Sequence, residues 1–167
     1  TDAIRASYDR LGLKYIDLFL IHFPSPNEGV TAATWKALEE AKDSGIVRSI
    51  GVSNFMRGDL KELLENSRIK PVVNQLEINP FNLMEEVDDF GYDNNIMTMA
   101  YSPLAKGRAL EDGKVMKIAE KYNKTPAQII LRWAVQRDLI PIPKTKDADR
   151  MKENLDLFDF SLTDEEL

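Results

Sequence analysis

Five short apolar runs, each followed by a stretch with helical spacing, constrain this chain more than any other feature. The runs are Ile16–Ile21, Ser49–Val52, Val72–Ile78, Ile96–Tyr101 and Ile140–Ile142. They are rich in β-branched and apolar residues and bounded by turn residues, the pattern of strands buried on both faces. The intervening segments carry apolar residues three and four positions apart. They predict helices over Ala3–Leu11, Ala32–Ser44, Gly58–Asn66, Met84–Tyr92, Gly113–Tyr122, Pro126–Gln136 and Ala148–Leu155. Thr125, Pro126 and Gln128 read as a capping box with proline at the first helical position. One helix followed by five strand–helix repeats predicts a parallel sheet with helical crossovers. The longest irregular piece is Pro24–Val30, and no repeat, linker or low-complexity tract is visible.

Composition narrows the chemistry. A length of 167 residues suggests one domain over 1–167. With no Cys, disulfide frameworks, thiolate catalysis and Cys-based zinc sites are excluded. A single His excludes a His-rich metal centre, so no metal site is expected. The net charge of −6 argues against nucleic-acid binding, which needs clustered cations. No apolar run approaches the roughly 18 residues of a membrane span, and no signal peptide is visible, so a cytoplasmic location is expected. Both ends read as cut. The chain opens inside a helix without Met, and Thr163 with Glu166 announces a capped helix that has room for one turn only.

In parallel β/α folds, function sits at the C-terminal ends of the strands. Here those ends read Leu20-Ile21-His22-Phe23-Pro24, Ile50-Gly51-Val52-Ser53-Asn54-Phe55, Val73-Asn74-Gln75-Leu76-Glu77-Ile78-Asn79-Pro80, Ala100-Tyr101-Ser102-Pro103-Leu104-Ala105 and Ile142-Pro143-Lys144-Thr145-Lys146. Each apolar run finishes in hydrogen-bonding residues. Beyond the last, Lys144, Lys146, Arg150 and Lys152 crowd into nine positions. That cluster is either a solvated helix face or a small anion site.

These five segments, in this order, resemble the strand ends of the aldo-keto reductase family. Phe23 stands where the family usually has Trp, Asn79 where it has His, and Thr145 where it has Ser. The resemblance runs from Ala3 to Leu167. It implies an α/β fold of the (β/α)8 TIM-barrel type with only about five β/α units in this chain, strands four to eight. It also implies an NADP(H)-dependent oxidoreductase that reduces aldehydes or ketones to alcohols. Of the family's catalytic Asp, Tyr, Lys and His, only the last has a counterpart here, His22, which would orient the substrate carbonyl; alone, an imidazole closing a buried strand is more often a core histidine. Ser53, Asn54 and Gln75 match the clamp on the nicotinamide carboxamide. Tyr101 matches the ring stacked on the nicotinamide. Ser102 and Leu104 match contacts to pyrophosphate and ribose. Lys144, Thr145 and Arg150 match the grip on the 2′-phosphate, and Glu153 and Asn154 the adenine contacts. No glycine-rich dinucleotide loop is present, which excludes a Rossmann protein.

The partner implied is a small-molecule carbonyl compound, with no nucleic acid and no membrane. A partial barrel would leave the strands at Ile16–Ile21 and Ile140–Ile142 as edges, so self-association, or pairing with a missing N-terminal half, is expected. Two rival readings fit part of the pattern. One is a non-catalytic NADP-binding or protein-interaction module built on a partial barrel. The other is an unrelated open parallel sheet, which leaves the five strand-end motifs unexplained.

Overall fold

The computed structural model describes residues 2–167. Their packing falls into two compact units, one holding the residues up to Gln75 together with Glu86–Ile96, the other Leu76–Glu85 together with Met97–Leu167.

The first unit contains α1 (Asp2–Leu11), β1 (Ile16–Ile21), α2 (Val30–Asp43), β2 (Val47–Ser53), α3 (Arg57–Asn66), the first three residues of β3 (Val73–Glu77), and all but the first residue of α4 (Glu85–Asp93). β1 and β2 run parallel, from Ile16 beside Val47 to Ile21 beside Val52. β2 also pairs in parallel with β3, Val52 beside Asn74 and Ser53 beside Gln75. Trp35 and Leu38 of α2 and Val47, Ile50 and Val52 of β2 are buried, as are Phe55 and Leu60. Burying a side chain of this size fully contributes about 1.5–3 kcal/mol. Gly51 sits where the strands press closest. A Cβ there would lie 2.7 Å from Val73 Cγ2 and 2.8 Å from both Leu20 Cδ2 and the Val73 carbonyl oxygen. α2 also reaches across to the chain entering β3. Trp35 Nε1 donates to the Ile69 carbonyl at 2.9 Å, and the buried Glu39 carboxylate accepts the N–H groups of Arg68 and Ile69 at 2.8 and 2.7 Å. A buried carboxylate is tolerated only when donors of this kind satisfy it.

The second unit contains β4 (Met97–Tyr101), β5 (Ile140–Ile142), α5 (Gly113–Tyr122), α6 (Pro126–Gln136) and α7 (Ala148–Leu155). β4 and β5 are parallel, with Met99 beside Ile140 and Tyr101 beside Ile142. α6 is buried over most of its circumference, through Ile129, Ile130, Leu131, Trp133 and Ala134. Its start is the capping box read from sequence: Thr125 Oγ1 accepts the Gln128 N–H at 3.3 Å, and Gln128 Oε1 accepts the Thr125 N–H at 3.0 Å.

Apart from shifts of one or two residues at the ends of α1, α2, α3, α4, β3 and β4, three local features depart from the sequence reading. β2 begins at Val47, two residues earlier than the apolar run suggested. Arg48 interrupts that run, but its guanidinium lies 3.3 Å from the Tyr15 ring centre and 3.7 Å from Asp17, so the strand continues. Ala105–Glu111, which carries no strong periodicity, forms 3₁₀ turns broken by the left-handed residues Lys106 and Gly107. The capped last turn is a turn and not a helix. The Glu166 and Leu167 N–H groups both donate to the Thr163 carbonyl. The Glu166 carboxylate is engaged by the Thr163 N–H at 2.9 Å, Lys121 Nζ at 2.6 Å and the Tyr122 hydroxyl at 2.7 Å. Among the described residues no helix is long and apolar enough to cross a membrane.

Candidate functional site

In the first unit, β1 delivers His22 one residue beyond its end. The imidazole is exposed and packs against Phe23, ring centres 4.7 Å apart at 37°. The His22 carbonyl accepts a hydrogen bond from Asn54 Nδ2 at 3.0 Å. The parallel register that sets Ser53 beside Gln75 builds the next group. The buried Ser53 hydroxyl donates to the Gln75 carbonyl at 2.9 Å, and the Asn54 N–H donates to the same oxygen at 2.8 Å. Asn54 Nδ2 also donates to Ser53 Oγ at 3.1 Å. Asn54 has φ 59°, a left-handed conformation that asparagine adopts more readily than other non-glycine residues. Ser53, Asn54 and Gln75 are thus brought into one hydrogen-bonded cluster, with the His22 main chain attached.

Asn74 belongs to this cluster and was not anticipated from sequence. It is buried, and its Nδ2 donates to the Phe55 carbonyl at 2.8 Å, closing the turn on which Asn54 sits. The available signal was a second amide, directly before Gln75, inside the strand Val73–Glu77.

In the second unit, Tyr101 ends β4 and is half-buried. Burial, and then the negative Glu77 carboxylate, push its phenol above the ordinary tyrosine value. The ring is therefore neutral throughout the physiological range. Ser102 is left-handed at φ 49°, and its carbonyl accepts the Ala105 N–H at 2.9 Å. The Leu104 carbonyl accepts the Gly107 N–H at the same distance. This compact turn carries Ser102 and Leu104 away from the strand.

Past β5, Thr145 Oγ1 accepts the Asp147 N–H at 3.1 Å. Asp147 caps α7 by accepting the N–H groups of Asp149 and Arg150 at 2.9 and 3.1 Å, and these bonds hold its carboxyl below the usual aspartate range. With the helix started there, Arg150, Glu153 and Asn154 fall three and four residues apart, on one face. Leu104, Lys144, Thr145, Arg150, Glu153 and Asn154 all line a single cleft of about 270 Å³. Lys144 and Arg150 take part in no ion pair among the described residues. The basic cluster therefore divides. Lys144 and Arg150 face the cleft, whereas Lys146 and Lys152 do not line it, and Lys152 lies 3.8 Å from Asp149.

Leu110, Thr125, Pro126 and Ala127 line the same cleft and were not anticipated. Thr125 and Pro126 stood out in the sequence only as a helix start. Two larger hollows, of about 790 and 1150 Å³, are lined by none of the twelve residues expected at the site, so volume alone does not locate it.

Comparison with known proteins agrees with the strand-end motifs. The family model described as Aldo/keto reductase family matches residues 1–167. The chain is 44% identical to 2,5-diketo-D-gluconic acid reductase B of Corynebacterium sp. (strain SHS752001), covering 97% of this chain and 59% of that protein. It is 43% identical to glyoxal reductase of Bacillus subtilis (strain 168), covering 99% of this chain and 59% of the relative. Among solved structures it matches Bombyx mori aldo-keto reductase in complex with NADP at a TM-score of 0.92 and 41% identity, over 99% of this chain and 59% of that one. The chain thus spans about three fifths of the length of such relatives. Its five parallel strands and their helices are β/α units of the aldo-keto reductase (β/α)8 barrel type, and the chain belongs to the aldo/keto reductase family.

Proposed function

We propose that residues 1–167 form the NADP(H)-binding part of a single reductase barrel domain that converts aldehydes or ketones to alcohols. The observation that carries this reading is the 270 Å³ cleft, where six sequence-expected residues converge. Its donor set fits the phosphorylated adenosine end of NADP(H). Lys144 and Arg150 supply two cations and Thr145 a hydroxyl for a phosphate monoester, which Arg grips in a bidentate fashion and Lys as a point charge. Glu153 and Asn154 offer an acceptor and an amide to the base. Leu104, Pro126 and Ala127 offer it an apolar wall. Ser102 and Leu104 contact pyrophosphate and ribose.

Bound NADPH supplies the hydride. The chain's own residues hold and orient. The Ser53–Asn54–Gln75 cluster grips the carboxamide and so selects which ring face meets the substrate. Tyr101, kept neutral by burial and Glu77, offers a flat uncharged surface for stacking. His22 hydrogen-bonds the substrate carbonyl. The general acid, a tyrosine supported by lysine and aspartate, is assigned to the part of the barrel outside residues 1–167. The relatives named as glyoxal and diketogluconic acid reductases support a small polar carbonyl compound as substrate.

The test is a calorimetric titration of the intact protein with NADPH and NADH. Losing one charge-assisted contact costs about 1.5–3 kcal/mol. Arg150→Ala should therefore weaken NADPH binding at least tenfold and leave NADH binding nearly unchanged. Equal losses for both cofactors overturn the assignment.

A further inference from the structure

Thr125 lines the cofactor cleft without belonging to any motif that carries the family resemblance. Its hydroxyl donates to Glu153 Oε1 at 2.7 Å, a side chain–side chain bond joining the start of α6 to the second turn of α7. The same oxygen accepts the Gln128 N–H at 3.3 Å. The hydroxyl thus has its one proton committed to Glu153 and a lone pair committed to the helix. Flanking residues fasten the same end of α7. Lys124 Nζ donates to Asp156 and Asp159 at 2.9 and 2.8 Å, and Gln128 Nε2 to the Asp156 carbonyl at 2.9 Å. Those bonds lie beyond Glu153 and set where the helix sits. The Thr125 bond differs, because it acts on a carboxylate that itself lines the cleft.

A glutamate has three side-chain torsions, and an untethered one at a cleft wall samples many orientations. One hydroxyl bond removes most of that freedom and keeps the carboxylate an acceptor. An acceptor fixed in a cleft discriminates between purine bases. The exocyclic amine of adenine donates to it, whereas the oxygen that replaces that amine in hypoxanthine meets it lone pair to lone pair. Sites built to hydrogen-bond a ligand group reject analogues that lack it.

We infer that Thr125 is a positioning residue for cofactor base selection: it holds the Glu153 carboxylate as the acceptor that prefers adenine to a 6-oxopurine. The inference rests on the NADP(H) reading proposed above and adds a residue and a specificity to it.

The test uses the intact protein, NADPH and its hypoxanthine analogue, with binding followed by nicotinamide fluorescence. Thr125→Asp is the chosen variant. Aspartate is as good a helix cap as threonine, yet at neutral pH it has no proton to donate and repels Glu153. Thr125→Ser restores the donor, and Gln128→Ala breaks the capping box and the Gln128 bond to Asp156 while leaving the Thr125–Glu153 bond and the Lys124 bonds that hold the end of α7. The wild type should prefer NADPH to the analogue by about tenfold or more, the range of one hydrogen bond to a charged group. Thr125→Asp should bring the ratio to within about threefold of unity, and Thr125→Ser should return it. Gln128→Ala should lower the melting temperature with the ratio unchanged. A wild-type ratio preserved in Thr125→Asp, or lost equally in Gln128→Ala, overturns the role of Thr125 and leaves the NADP(H) reading standing. A wild type that binds neither dinucleotide overturns both.

Discussion

Asn54 donates its main-chain N–H to the carbonyl of Gln75 at 2.8 Å while its own backbone is left-handed, φ 59°. The turn after β2 is thereby bent back onto the middle of β3. The Asn54 amide spans the gap on the other side, to the His22 carbonyl at 3.0 Å. One residue thus links three consecutive strands. Strained conformations of this kind persist only where the surroundings over-determine them, and here Asn54 is held by Gln75, proposed for the carboxamide, and by the His22 main chain.

Asn54→Ala should be costly on two counts. A non-glycine, non-asparagine residue in the left-handed region costs roughly 1–2 kcal/mol, and the bonds to His22 and Ser53 are lost. A total of about 2–4 kcal/mol by urea denaturation is expected. Asn54→Gly removes the side chain without the backbone penalty and should recover about half. Wild-type stability in the alanine variant would show that the turn is not held as described.

Gly51→Ala tests the close approach of β1, β2 and β3. The added methyl would sit 2.8 Å from the Val73 carbonyl oxygen, which as ladder backbone yields little. Over-packing of this kind costs about 1–3 kcal/mol. An unchanged denaturation midpoint would mean that the strands lie further apart.

The proposed function puts His22 at the substrate, not the cofactor. Replacing it with Gln should therefore lower kcat of the intact enzyme by about 100-fold, the scale of a misoriented substrate, and leave the NADPH dissociation constant within about twofold. A variant that loses cofactor affinity instead would make His22 a structural residue.

Glu166 confers an acid limit. Lys121, the Thr163 N–H and the Tyr122 hydroxyl hold its carboxyl at about 2, against an ordinary 4.5. Because the folded value is the lower one, the stabilisation is complete above pH 4.5 and is lost as pH falls towards 2. Glu166→Gln should flatten that part of the stability-versus-pH curve and lower the plateau above it. A curve of unchanged slope between pH 4.5 and 2 would mean that the cluster does not form in solution.

Much of this was legible in the chain itself. Ile16–Ile21, Gly113–Tyr122, Pro126–Gln136, Ile140–Ile142 and Ala148–Leu155 have the bounds read from sequence, because local periodicity, caps and turn residues all agree there. Val47 and Arg48 were not read as strand, because Arg48 finds its partners in Tyr15 and Asp17, a pairing that only the β1–β2 register creates. The Ala105–Glu111 turns were missed because their left-handed residues include Ala105 and Lys106, which carry no local preference for that conformation.

The same division holds at the site. The order of the strand-end motifs, the spacing of Arg150, Glu153 and Asn154 along one helix face, and the cap at Thr125 are local properties, and the sequence by itself determined them. Which of four clustered cations face a cleft, that Asn74 closes the Asn54 turn, and that Thr125 reaches Glu153 across 28 positions were decided only by tertiary structure. The physical reason is that a hydrogen bond depends on distance and angle in space. Contacts between residues far apart in the chain come into existence only when register and helix packing bring their elements together.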